Sequence, residues 1–199
     1  IDLYYLHNVE TQRSAVGPET FRKRMRAAIE VLEEFVSQDR ISAWGLATWD
    51  GLRAPSEHPE HLGIEDLLDL ASDVAGSGHH FRAVQLPVNL AMSEAIGYPS
   101  QPLGKERLPA LGAARKAGLA AFGSASILQG RLAVDLPEEI EAAFSSARPG
   151  AQRALQFSRS APGMTTSLVG VSSPAHASED FALAALDPAD PSVVLGLFS

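Results

Sequence analysis

His7 and Asn8 close an apolar, aromatic run, Ile1–Asn8 (IDLYYLHN). An imidazole there can do acid–base or orienting chemistry near neutral pH; a structural histidine is the plainer reading. A second place is Ser172-Ser173-Pro174. Ser173 can cap a helix whose first position is Pro174. Free amides and the helix dipole there would suit an anion such as phosphate; an N-cap alone is the plainer reading. Gln85, with Asn89 just after it, lies in Phe81–Val88 (FRAVQLPV). A buried Gln needs hydrogen-bond partners, and a core amide bonded to backbone would satisfy that. Glu57-His58-Pro59-Glu60-His61 places two histidines beside carboxylates. Pro59 breaks the helix that would align them, so no metal is expected. No dinucleotide GxGxxG, Walker A, HExxH or GxSxG motif occurs. Trp44 reads as core, and Trp49 as loop packing or the wall of a ligand site.

The elements that would carry these residues alternate. Ile1–Leu6 reads as a strand buried on both faces, as in parallel sheets. Val9–Gly17 reads as a polar loop. Pro18 and Glu19 open a helix to about Ser37, with Phe21, Met25, Ala28, Leu32 and Phe35 at helical spacing. Ile41–Ala47 is the second strand, and Ile64–Val74 a helix broken by Gly76-Ser77-Gly78. Phe81–Val88 is the third strand. A Pro- and Gly-bearing loop through Gly104 leads to a helix over Arg107–Ala117, closed by Gly118. Leu119–Ser124 is the fourth strand. Helices are expected over Pro137–Ser146 and Ala151–Ser160. Thr166–Val171 is the fifth strand, Pro174–Leu186 a last helix, and the tail from Asp187 is broken by prolines.

Five strand–helix beats of roughly 40 residues predict a single α/β domain over 1–199, a parallel sheet covered by helices. Ligands bind at the C-terminal ends of such strands, where His7 and Ser172 fall. A closed (β/α)8 barrel runs to about 250 residues. Five units therefore predict a partial TIM barrel, entered in mid-fold and lacking three units. A strand left unpaired at such an edge is an association hazard. Self-association, or pairing with a missing N-terminal half, is the expectation.

Composition narrows the function classes. Net charge is −8 with pI near 5.2, which argues against nonspecific nucleic-acid binding and anionic membrane surfaces. The basic residues Arg22, Lys23, Arg24 and Arg26 then read as a solvated helix face. There is no cysteine, so disulfides, thiolate metal sites and a cysteine nucleophile are excluded; this suits a cytoplasmic protein. No apolar run approaches the length of a membrane span.

The strand ends taken together resemble the aldo/keto reductase family over nearly the whole chain. IDLYYLHN resembles its fourth barrel strand, with His7 in the place of the catalytic histidine. ISAWGLATWD resembles the fifth strand, with Ala47-Thr48 where the family has Ser-Asn. AVQLPVNL resembles the sixth, with Gln85 in the place of the glutamine that holds the nicotinamide carboxamide. LAAFGSASILQGRL resembles the seventh, with Ser124 where an aromatic stacks on nicotinamide. LVGVSSPAHASED resembles the eighth strand and the helix that clasps the adenosine phosphate. There Ser172 and Ser173 lie in the turn, and Ser173 and Glu179 match cofactor contacts. His176 replaces the Arg of the 2′-phosphate, and Asp180 an Asn near adenine.

The resemblance implies an eight-stranded barrel and reduction of aldehydes or ketones by NADPH, with NADH as the other cofactor to test. The family's catalytic Asp, Tyr and Lys lie on earlier strands, so the chain alone is expected to be inactive. A noncatalytic cofactor- or partner-binding module is the second reading. A different barrel enzyme with a phosphate site after its last strand is the third.

Overall fold

A computed structural model describes residues 1–198. Five parallel strands pair strictly in chain order. They are β1 (Tyr4–His7), β2 (Trp44–Ala47), β3 (Phe81–Pro87), β6 (Ala120–Ser124) and β7 (Thr166–Ser167). Between β3 and β6, β4 (Gln101–Leu103) and β5 (Glu106–Leu108) form a separate antiparallel hairpin. The helices are α1 (Glu10–Val16), α2 (Pro18–Ser37), α3 (Ile64–Ala75), α4 (Glu94–Gly97), α5 (Ala110–Lys116), α6 (Glu138–Ala143), α7 (Gly150–Arg159), α8 (Pro174–Ala182) and α9 (Pro191–Gly196).

One face of the sheet makes the core. Trp44, Leu46, Val84, Leu86 and Ala121 are essentially inaccessible and join Ile29, Leu32, Leu67, Leu70 and Leu111 from the helices in one cluster. Of the residues of opposite parity, Ala47 and Ala83 are buried, but Tyr5, Gln85, Ala120, Phe122 and Ser124 are only half-buried, and His7 is exposed. A closed barrel fills this inner face with layers of side chains. Here it is open, and β1 and β7 are the two sheet edges. The five parallel strands are therefore as expected, whereas two-sided burial of the first strand is not.

Several expected boundaries shift for physical reasons. Ile1 lies outside β1 and is 75% exposed; Leu168 lies just past β7. Each edge strand has one ladder partner, so pairing stops where β2 or β6 ceases to face it. The expected loop at Val9–Gly17 is largely α1. Its sequence has no apolar period, but its first residue, Glu10, turns inward to bond the next strand's exit. Arg107 and Leu108, expected to open the helix, form β5 with Glu106 instead. Gly104, at φ +61°, makes the two-residue turn that pairs them with β4. Pro109 then caps α5, which starts three residues later than expected. The proline-broken tail carries α9, whose Val194 is buried in the main core.

Candidate functional site

The register sets the site. His7 pairs with Ala47, Ala47 with Gln85, Gln85 with Phe122, and Phe122 with Thr166. Strand side chains alternate, so this row lies on one face, the inner one. His7 and Gln85 stand two strands apart, about 10 Å at the backbone. Ser124 lies one row further toward the C-terminal rim on the same face. One row below, Tyr5 lies over Gly45, and its ring meets Phe122 edge-on at 6.0 Å. The Tyr5 hydroxyl is buried without a partner, and burial pushes it up to about 12. At neutral pH it keeps its proton and can donate a hydrogen bond but not act as a base.

Gln85 departs from the plainer of its two readings, a core amide bonded to backbone. It is half-buried, and no side chain or backbone group among the described residues bonds its amide. The cause is parity: it faces the open interior, not the helices. Thr48 turns the other way. It is 4% exposed, its amide donates to the Gln85 carbonyl at 2.8 Å, and its hydroxyl points to the same oxygen at 3.5 Å. Thr48 thus fixes the backbone of Gln85 from behind.

The remaining candidates gather at α8. Ser173 caps the helix, its Oγ accepting from the His176 amide at 3.2 Å. The expected anion pocket is therefore partly filled by the cap. Pro174 has no N–H, which leaves the Ala175 amide in the first turn. Ser172 and His176 are exposed, while Glu179 and Asp180 are half-buried. The Glu179 carbonyl accepts from Gln152 of α7 at 2.6 Å. Burial, reinforced by the Glu179 charge, pushes the Asp180 carboxyl up, with His176 opposing. Asp180 lines a cleft of 340 Å³ between β7, α7 and α8 together with Arg159, Val171 and Phe181.

Three contributors escaped the sequence reading. Arg159, on α7, brings a guanidinium to the α8 corner, where the sequence after it has neither Lys nor Arg. Glu10 is 1% exposed, and its Oε1 accepts the Trp49 amide at 2.5 Å. Arg53 donates to the Trp49 carbonyl at 2.9 Å and pairs with Asp50 at 2.5 Å and Glu94 at 2.9 Å. Together Glu10 and Arg53 hold the β2 exit, leaving the Trp49 indole 45% exposed. None of the three has a sequence signal, because each partner is distant in the chain or lies in a loop.

His58 and His61 do not converge on a metal. The His61 Nδ1 bonds the Ala54 carbonyl, the His58 Nδ1 accepts the Glu60 amide, and no cluster of three metal-ligating side chains occurs among the described residues. No described helix is long and apolar enough to cross a membrane.

No protein-family model and no curated protein matches the sequence. Solved structures do match the fold. A thermostable aldo-keto reductase, Tm1743, in complex with the inhibitor epalrestat superposes with a TM-score of 0.63 at 14% identity, over 99% of this chain and 58% of that one. The holo form of aldo-keto reductase AKR11C1 from Bacillus halodurans gives 0.60 at 16% identity, over 99% and 60%. An aldo-keto reductase from Klebsiella pneumoniae in complex with NADPH gives 0.62 at 19% identity, over 94% and 54%. The chain thus spans little more than half the length of these proteins, and over that span its fold is that of the aldo-keto reductases.

Proposed function

We propose that this chain forms the cofactor-binding side of an NAD(P)H-dependent carbonyl reductase on an aldo-keto reductase-like barrel. The observation that carries the reading is the inner-face row with His7 exposed at one position and the unbonded Gln85 amide at another. A half-buried amide with both its donor and its acceptor open fits a nicotinamide carboxamide, which offers the complementary pair. The nicotinamide would supply the hydride. His7 would orient the substrate carbonyl by hydrogen bonding. Ser124, one row higher on the same face and half-buried, would lie beside the ring. Thr48 holds the strand that carries Gln85. Ser173 shapes the turn for the adenosine phosphate, with Ser172, His176, Glu179 and Asp180 around it and Arg159 from α7. Among the described residues the inner-face strand positions offer no acid besides Tyr5, so the proton would come from an Asp, Tyr and Lys group on further strands. The chain alone is then inactive.

Replacing the family's Arg, His176 would contribute a pH-dependent grip on a 2′-phosphate. An imidazole ordinarily titrates near 6.5 and gains a proton beside a phosphate. The intact protein is expected to bind NADPH more tightly at pH 6 than at pH 8, by about 5- to 30-fold, the scale of one charge-assisted bond. NADH, which lacks that phosphate, should show a flatter profile. Fluorescence titrations with both cofactors at both pH values, repeated with His176→Ala, check this. An advantage retained in the alanine variant removes His176 from the phosphate site. Binding of neither cofactor refutes the oxidoreductase reading.

The open edges predict association. Residues 1–199 prepared alone should dimerise, aggregate, or bind a polypeptide carrying the other barrel strands, because β1 and β7 expose unpaired backbone. A monodisperse monomer by light scattering, with no second polypeptide present, would contradict this.

A further inference from the structure

Asn89 is a fully buried polar side chain at the exit of β3, four residues past Gln85. Its Oδ1 accepts the Ala91 amide at 2.9 Å, and its Nδ2 donates to the Ala125 carbonyl at 3.0 Å. Its backbone closes a tight turn with Met92 through bonds of 3.2 and 3.1 Å. The Ala125 bond is the one that crosses between strands. Ala125 follows Ser124 directly and sits at φ +53°, in the left-handed region that alanine rarely adopts. Leu128 and Gln129 share that region further along the same loop. Such a backbone persists only where its surroundings over-determine it. Here the surroundings are the Asn89 amide, the Leu128 amide, which donates to the same Ala125 carbonyl at 2.8 Å, and the bond from the Val88 amide to the Ser124 carbonyl at 3.2 Å. A buried hydroxyl relay continues the clamp: Ser158 of α7 bonds the Val88 carbonyl at 2.9 Å and Ser167 of β7 at 2.8 Å.

We propose that Asn89 is a positioning residue: by gripping Ala125 it holds the β6 exit in its left-handed turn and so fixes the roof over Gln85 and Ser124 where the nicotinamide would lie. The inference rests on the cofactor reading above. Asn89 touches no ligand itself; it acts through the loop that begins at Ala125. It does not reach the α8 corner, where the adenosine phosphate would sit. The two halves of the cofactor therefore respond differently to its loss.

Asn89→Asp is nearly isosteric and separates these outcomes. The ionised carboxylate presents an acceptor to the Ala125 carbonyl, which repels it. Protonated, the same group donates an O–H to that carbonyl and still accepts from Ala91, restoring the native pattern. Its hydrogen-bond partners are all backbone. The ionisable residues of the adjoining segments are Glu94, paired with Arg53, and Arg131 and Asp135, which line a cleft beside Leu90 and Ala91.

The intact protein and the variant are titrated with NADP+ and with 2′,5′-ADP, which has the adenosine phosphates but no nicotinamide. At pH 8 the variant should bind NADP+ about tenfold more weakly, the loss of one buried hydrogen bond, with 2′,5′-ADP affinity unchanged. Near pH 5.5 the NADP+ affinity should return toward wild type. Any titration of His176 affects both ligands and cancels in their ratio. If the variant weakens both ligands equally, or neither, Asn89 is merely structural and the inference is overturned. If it does not fold at pH 8, Asn89→Ser, which keeps a donor, is read at pH 7. A selective loss for NADP+ then supports the inference, and an equal or absent effect overturns it. Wild-type protein that binds 2′,5′-ADP and NADP+ equally well overturns this inference alone, because the nicotinamide then makes no contact under the loop. Wild-type protein that binds neither overturns the cofactor reading, and this inference with it.

Discussion

Gly45→Ala is expected to lower the stability of the fold by about 3 kcal/mol, at the upper end for an overpacked interior. A Cβ at residue 45 would lie 2.5 Å from the Ala83 carbonyl oxygen and 2.8 Å from the Tyr5 ring. The oxygen belongs to a parallel ladder and cannot move without breaking the β2–β3 register. The ring can move, but at the expense of its edge contact with Phe122. Gly45 is thus small for two neighbours, one rigid and one soft. The double variant Tyr5→Ala/Gly45→Ala should recover little, since the backbone contact remains. Gly112→Ala makes the control: its Cβ meets only ordinary contacts at 3.8 Å inside α5, where exchanging Gly for Ala stabilises a helix by about 0.5–1 kcal/mol. Urea unfolding of the three variants beside the wild type decides it. A Gly45→Ala protein as stable as wild type would mean that the inner face is not packed as described.

Glu33→Ala should cost about 2–4 kcal/mol, the loss of bonds to one buried and one partly buried donor. Glu33, on α2, gathers three partners beneath the sheet. Its Oε1 accepts the Trp44 indole N–H and the His80 amide, each at 2.7 Å, and its Oε2 faces the His80 Nδ1 at 2.8 Å. Trp44 is inaccessible and stacks on Phe81 at 4.8 Å, so its orphaned N–H would have no water to turn to. The cluster also predicts an acid limb of stability. Burial alone would push the Glu33 carboxyl up, but the bonds from His80 and Trp44 together hold it below the usual range. A carboxyl held low in the folded state contributes stability above its ordinary range and loses it as pH falls through the folded value. Burial, aided by Arg82, likewise holds His79 below the ordinary imidazole range. The folded state thus resists its protonation, and stability begins to fall as pH drops below about 6.5. Thermal melts from pH 7 to pH 3 should show both declines, and Glu33→Ala should remove the lower one. An unchanged lower limb in the variant would assign it to other carboxylates.

The Glu33 cluster lies away from the rim, and it separates what holds the fold from what the rim does. Glu33, Trp44 and His80 tie helix to sheet at the N-terminal ends of the strands. His7, Gln85, Ser124 and Asn89 lie at the C-terminal ends. In barrels the former end reads as stability and the latter as chemistry.

The order of elements was legible in the residues themselves. Strand runs such as AVQLPV alternate with helical stripes such as Phe21, Met25 and Leu32, and that beat alone requires a parallel sheet covered by helices. Strand ends are equally visible, because an apolar run stops where polar side chains begin; His7 and Ser173 could therefore be placed at a rim without coordinates. The sequence could not decide which way Gln85 and Thr48 face, since a run without alternation carries no parity, and parity comes only from the ladder register. It could not show that β1 is an open edge with a half-buried face, because burial belongs to the partner strands. Glu10 acts across 39 residues, and Arg53 and Arg159 act from within loops and helices where their neighbours carry no pattern. Local periodicity reports which face of a segment is apolar. Only the folded chain decides which distant backbone groups meet, and the left-handed turn at Ala125, held by Asn89 from 36 residues away, is decided there alone.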